Sequence, residues 1–114
     1  MIGELKRLKF LDDQRFAQSY AQTQMITRPI GEYFLKRELK QKGLDADLIE
    51  QTVEKAYEEK DQLSIALELA QQRKKRYGNI DAMKAKKRLS DFLLRRGFSW
   101  EIVSEVLEQW DQLE

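Results

Sequence analysis

A helix stop followed by a helix restart is written twice in this chain, 54 residues apart, and this duplication constrains the fold more than any other feature. The stretch Leu39 to Ile49 reads LKQKGLDADLI, and Leu93 to Val103 reads LLRRGFSWEIV. In each, a glycine (Gly43, Gly97) follows a basic residue (Lys42, Arg96), the arrangement expected where a helix ends in a left-handed residue and cations meet its negative pole. Two residues on, Asp45 and Ser99 are placed to cap the next helix, with Asp47 and Glu101 in its first turn. The apolar stripe that follows keeps the register: Leu48, Ile49, Thr52, Val53 and Ala56 align with Ile102, Val103, Val106, Leu107 and Trp110. Upstream, Thr27 and Asp81 share the offset and each is expected to cap a middle helix, with Pro29 in a first turn. Further back the offset becomes 49, and FAQSYAQ from Phe16 matches IALELAQ from Ile65.

Helical spacing runs through the remainder. Leu63, Ala66, Leu67 and Ala70 fall at i, i+3, i+4 and i+7, and Ile65 and Leu69 widen that face. The expected fold is all-α: tandem three-helix-bundle repeats in an elongated, curved array, with residues 1–10 as the end of a preceding helix or repeat, 11–60 as one repeat and 61–114 as the next. Trp110, Phe98 and Trp100 stand where the first repeat has Ala56, Leu44 and Ala46, so the second repeat fills matching slots with larger side chains.

Composition removes whole classes of function. The 114 residues contain no Cys and no His, which leaves no disulfide, no thiolate metal site, no Ser-His or Cys-His nucleophile pair and no imidazole acid or base. Catalysis is not expected, nor is any cofactor, metal or small-molecule substrate. No apolar run approaches the roughly 20 residues of a membrane span, and MIGELKRLKF lacks a signal-peptide core, so a cytoplasmic protein without a membrane partner is expected.

FLDDQRFAQSYA, followed by LKRELKQKGL, RKKRYG and RLSDFLLRRGFSWEIV, resembles the RecX family of bacterial regulators of the RecA recombinase, from about Leu5 to the C-terminus. The resemblance implies tandem three-helix repeats and a role without catalysis. It implies binding to RecA nucleoprotein filaments on single-stranded DNA, with restraint of filament growth, ATP hydrolysis, strand exchange and coprotease activity, and so a place in homologous recombination, DNA repair and the SOS response. The family generally carries a further repeat on the N-terminal side. After Tyr20 the family is commonly basic and often Gly-rich, where this chain has Gln22, Thr23, Gln24, Met25 and Ile26.

Net charge is only +1, but its distribution is uneven. Between residues 73 and 96 stand Arg73, Lys74, Lys75, Arg76, Lys84, Lys86, Lys87, Arg88, Arg95 and Arg96 against Asp81 and Asp91: ten bases and two acids, a net of +8. From Gly97 onward there are five acids and no base, a net of −5. The ten basic residues are the candidate partner surface, suited to phosphate backbone or to acidic patches on the recombinase, although charge runs also form ordinary solvated faces. Arg73 to Arg76 covers a full turn, so at least one member is expected to point inward with its stem buried. Single-stranded DNA alone is a possible partner, and the chain then competes with RecA for it; a helical scaffold between proteins is a third reading.

Other constellations read structurally. A helix-turn-helix reader of duplex DNA needs a neutral or basic second helix, whereas both candidates here are acidic, with Asp47, Glu50, Glu54, Glu58 and Glu59 in one and Glu101, Glu105, Glu108 and Asp111 in the other. Asp12-Asp13 is expected to be a helix cap and first-turn acid rather than a metal or acid–base pair. Phe16, Tyr20, Phe34, Phe92 and Trp110 are expected in the core, and Trp100 and Phe98 either anchor a partner or bridge helices near the turn.

Overall fold

The computed structural model describes residues 2–113, with side chains from Leu8 onward. Six helices follow one another: α1 Ile2–Thr27, α2 Glu32–Gln41, α3 Ala46–Ala56, α4 Gln62–Tyr77, α5 Ala82–Arg95 and α6 Trp100–Glu108, closed by a 3-10 turn at Trp110–Gln112. The described residues contain no strand. The molecule is elongated, 64 × 20 × 19 Å along its principal axes. Glu114, counted in the acidic tail, lies outside the described residues.

The duplicated punctuation folds as the residue types require. Gly43 and Gly97 adopt φ of +80° and +91°, the left-handed region that a Cβ disfavours. Leu44 N–H then donates to Leu39 O and Phe98 N–H to Leu93 O, satisfying carbonyls that the helix end leaves unpaired. Asp45 accepts from the Asp47 N–H at 2.7 Å, Asp61 from the Ser64 N–H at 2.8 Å and Ser99 from the Ile102 N–H at 3.3 Å.

Three expected side-chain caps are absent. Thr27 does not open the middle helix: α1 continues through it, and its hydroxyl turns back to Thr23 O at 2.8 Å. Pro29 disfavours helical geometry at Arg28, so it lies in the linker ahead of α2 rather than in its first turn. Asp12 and Asp13 also lie inside α1, where no chain break exists for them to cap. Asp81 occupies the N-cap position of α5 but makes no side-chain cap bond.

Each set of three helices encloses its own core. Ala17, Ala21, Ile30, Leu35, Leu39, Leu48 and Val53 are buried together in the first. In the second, Ala66, Ala70, Leu89, Phe92, Leu93, Phe98, Val103, Val106 and Trp110 are. The larger residues of the second set are used inside: Phe98 is 2% exposed and Trp110 7%. Thr52 is the one buried polar residue among those described, and its hydroxyl is satisfied by Leu48 O at 2.7 Å.

The two bundles meet end to end through backbone. Gly31 N–H donates to Arg96 O at 2.7 Å, Tyr33 N–H to Gly97 O at 3.1 Å and Glu32 N–H to Gln62 Oε1 at 3.0 Å. The orphan donors of the α2 N-terminus are thus satisfied by carbonyls at the α5 C-terminus, positive pole against negative pole. This explains the absence of a capping side chain on α2. A Cβ on Gly31 would stand 2.4 Å from the Gly97 carbonyl, and one on Gly97 would stand 2.4 Å from the Phe34 backbone nitrogen. Within the first bundle the Tyr57 hydroxyl donates to Ile30 O at 2.7 Å, and Met25 and Tyr57 pack against both cores.

Candidate functional site

α5 carries the densest cationic face. Lys84, Lys87, Arg88 and Arg95, at i, i+3, i+4 and i+11, lie along one side of the helix and are all exposed, while Ala85, Leu89, Phe92 and Leu93 turn inward. Asp91 is the single acid within that stripe. Lys86 does not join it; the same spacing puts it on the opposite flank, half-buried. The only ion pairs among the described residues are Lys36–Glu32 and Lys60–Glu68, so none of the ten basic residues between 73 and 96 is paired with a described acid.

The run on α4 divides by its helical phase. Lys74 is turned into the fold, its Nζ 2.7 Å from Trp110 O and 2.9 Å from Leu113 O and 4.7 Å from the Trp110 ring. It satisfies carbonyls at the end of the chain and is taken out of the outward-facing cationic surface. Lys75 is exposed on the side away from the core. Arg73 lies over Phe92, guanidinium carbon 3.9 Å from the ring centroid, and Arg96 lies over the same ring at 4.8 Å. Arg73, Arg76, Arg96, Phe92, Leu69 and Gln72 line a pocket of about 200 Å³. Arg96 is fixed further by donating from Nη1 to Pro29 O at 2.9 Å, across the junction. Burial first, then repulsion from Arg28 and Arg73, lowers the Arg96 pKa from its ordinary value.

Sequence reasoning missed Arg28 and the cations of α2. Lys36, Arg37, Lys40 and Lys42 stand against Glu32 and Glu38, so the middle helix of the first bundle is basic as well. Three of the four lie over rings: Lys36 over Tyr33, Arg37 over Phe34, and Lys42 over both Phe16 and Tyr20. The signal was available in the repeat itself, because Lys42 occupies the slot of Arg96.

Some aromatic expectations need correction. Phe16 is not core: it is 45% exposed, stacked on Tyr20 with centroids 6.1 Å apart. The Tyr20 hydroxyl donates to Glu38, and burial together with that carboxylate raises its pKa. Phe98 is buried and cannot anchor a partner, whereas Trp100 is 58% exposed. The outer faces of α3 and α6 are acidic, since Asp47, Glu50, Glu54, Glu101, Glu105 and Glu108 are all exposed, and Glu58 and Glu59, expected in the same helix, are exposed in the turn after α3. No helix of the described residues is long and apolar enough to cross a membrane.

A linear pair of three-helix bundles with basic middle helices and acidic closing helices defines an all-α tandem-repeat protein. Residues 12–53 match the family profile described as RecX, second three-helix domain, and residues 59–107 match RecX, third three-helix domain. The chain belongs to the RecX family. It is 34% identical over 111 residues to the Regulatory protein RecX of Bacillus licheniformis, covering 97% of this chain and 42% of that protein. To the Regulatory protein RecX of Bacillus subtilis it is 31% identical over 109 residues, covering 96% and 41%. The crystal structure of RecX from Lactobacillus salivarius superposes with a TM-score of 0.79 at 28% identity, covering 97% of this chain and 71% of that one. The chain therefore spans about two fifths of the length of the curated relatives it matches.

Proposed function

We propose that the chain binds RecA filaments assembled on single-stranded DNA and restrains them without chemistry of its own, inside the cytoplasm. The observation that carries this reading is the cationic stripe of Lys84, Lys87, Arg88 and Arg95, unpaired among the described residues, on a 64 Å molecule whose bundles are joined by backbone hydrogen bonds. Such a stripe attracts the polyanionic backbone or acidic surfaces of a nucleoprotein, and the length lets contacts fall on more than one filament subunit. Each short helix offers little area, so affinity comes from several weak contacts made together, and isolated RecA is bound less well. Subunits are held in place, or their addition is blocked.

RecA's DNA-dependent ATPase, followed during filament growth with the chain added, tests this directly. The expected result is a lower rate, dependent on chain concentration; an unchanged rate at saturating chain overturns the reading. The same stripe supports a second reading, a single-stranded-DNA-binding module that competes with RecA. Parallel binding assays with RecA alone, bare single-stranded DNA and the assembled filament separate the two: strongest binding to the filament supports the regulator, strongest binding to bare DNA the competitor.

A further inference from the structure

The pocket around Phe92 differs from the stripe on α5 in being built rather than merely charged. Its guanidiniums are held in place: Arg73 and Arg96 by the Phe92 ring, and Arg96 also by Pro29 O. Its lining contains no acid, and among the described residues none of Arg28, Arg73, Arg76 and Arg96 has an ion-pair partner. Gathering like charges at a partly desolvated junction opposes folding, and stacking on one ring recovers only about 0.5–2 kcal/mol per pair. The arrangement is complete only with an anion in it.

We propose that Arg73, Arg76 and Arg96, with Arg28 adjoining the Pro29 that Arg96 holds, form a site for one backbone phosphate of a single-stranded nucleic acid. At about 200 Å³ the pocket lies below the roughly 300–1,000 Å³ of small-molecule sites and takes a charged group rather than a base, since Phe92 is already covered by the two guanidiniums. Arginine forks match phosphate oxygens bidentately, and pre-oriented ones lose little freedom on binding. A phosphodiester carries the same single charge as a carboxylate, but in a strand it is flanked by further phosphates, which add charge beside the cations around the pocket. This site rests on the reading that the cationic side faces nucleoprotein, but it is separable from the stripe. It also makes the junction between bundles a part of the contact, because Pro29 and Arg28 belong to the first bundle and Arg73, Arg76 and Arg96 to the second.

The test is a titration of the ¹⁵N-labelled chain with oligo-dT lacking terminal phosphates, read at the arginine Nε–Hε signals, with hexaglutamate as the second arm. The oligonucleotide is expected to shift Arg73, Arg76 and Arg96, and hexaglutamate to leave them in place. An Arg28→Gln, Arg76→Gln variant, which spares the junction bond of Arg96, is expected to bind oligo-dT about tenfold more weakly. Its plot of log affinity against log salt is expected to flatten by about 0.7 for the one phosphate lost. Shifts with hexaglutamate alone would reassign the pocket to an acidic protein surface, and no shift with either ligand would remove the site. If the variant keeps full affinity and slope for oligo-dT while a stripe variant loses filament binding, the phosphate site is wrong and the proposed function stands.

Discussion

Ser99 illustrates how much of this fold is decided by single polar atoms. Its side chain accepts from the Ile102 N–H at the start of α6, and Ser99→Ala is expected to lower stability by about 1 kcal/mol in chemical denaturation. Asp61 does the same for α4, and hydrogen bonding from Ser64 lowers its carboxyl pKa below 3.8. A depressed folded-state pKa adds stability that is present above the unfolded value and lost as pH falls through the folded one. Between pH 5 and pH 3 the wild-type chain should therefore lose more stability than Asp61→Asn, which caps without titrating; parallel curves would contradict this. Caps at Asp45 and Ser99 were legible because residue type, glycine position and apolar register agreed, whereas Asp61, with no glycine before it, was not singled out. Thr27 misled because a threonine near a helix end can bond backward as readily as forward, and only Pro29 reveals that the helix has run on. Trp100 was left open by its place at the edge of a stripe. Its exposure predicts fluorescence quenching on filament addition in a Trp110→Phe background.

At the scale of elements, helix content and register were readable from the doubled sequence, and the docking of the bundles was not. The junction is centred on backbone groups of Gly31, Tyr33, Arg96 and Gly97, which carry no side-chain signature, with Gln62 and the Arg96 side chain adding one bond each. Gly43 and Gly97 look alike in sequence and share a left-handed φ, yet a Cβ on Gly43 meets nothing within 4 Å while one on Gly97 runs into Phe34. Gly43→Ala is accordingly expected to cost about 1 kcal/mol from backbone strain, and Gly97→Ala at least twice that. Helical circular dichroism should persist in Gly97→Ala while the unfolding transition splits or broadens as the bundles uncouple. Equal losses in the two variants would mean that the junction contributes nothing. The same uncoupling separates Arg28 from Arg96, so this variant should also weaken oligo-dT binding.

For the whole molecule, the sequence indicated where charge accumulates but not which charges act together. Ten basic residues share one segment; helical phase sends Lys74 into the chain end, Lys86 to the far flank and Lys75 away from the core, and it gathers Lys84, Lys87, Arg88 and Arg95 into a stripe. The Phe92 pocket was beyond reach because it depends on Arg96 reaching Pro29 O across the junction. The measurement that bears most directly on the account is filament affinity across a series of salt concentrations. It is made for the wild-type chain and for the combined variant Lys84→Ala, Lys87→Ala, Arg88→Ala, Arg95→Ala. The account predicts at least a tenfold loss of affinity at low salt and a shallower salt dependence, by up to about three in slope if each cation meets a phosphate. Equal affinity and equal slope in the two proteins would contradict it.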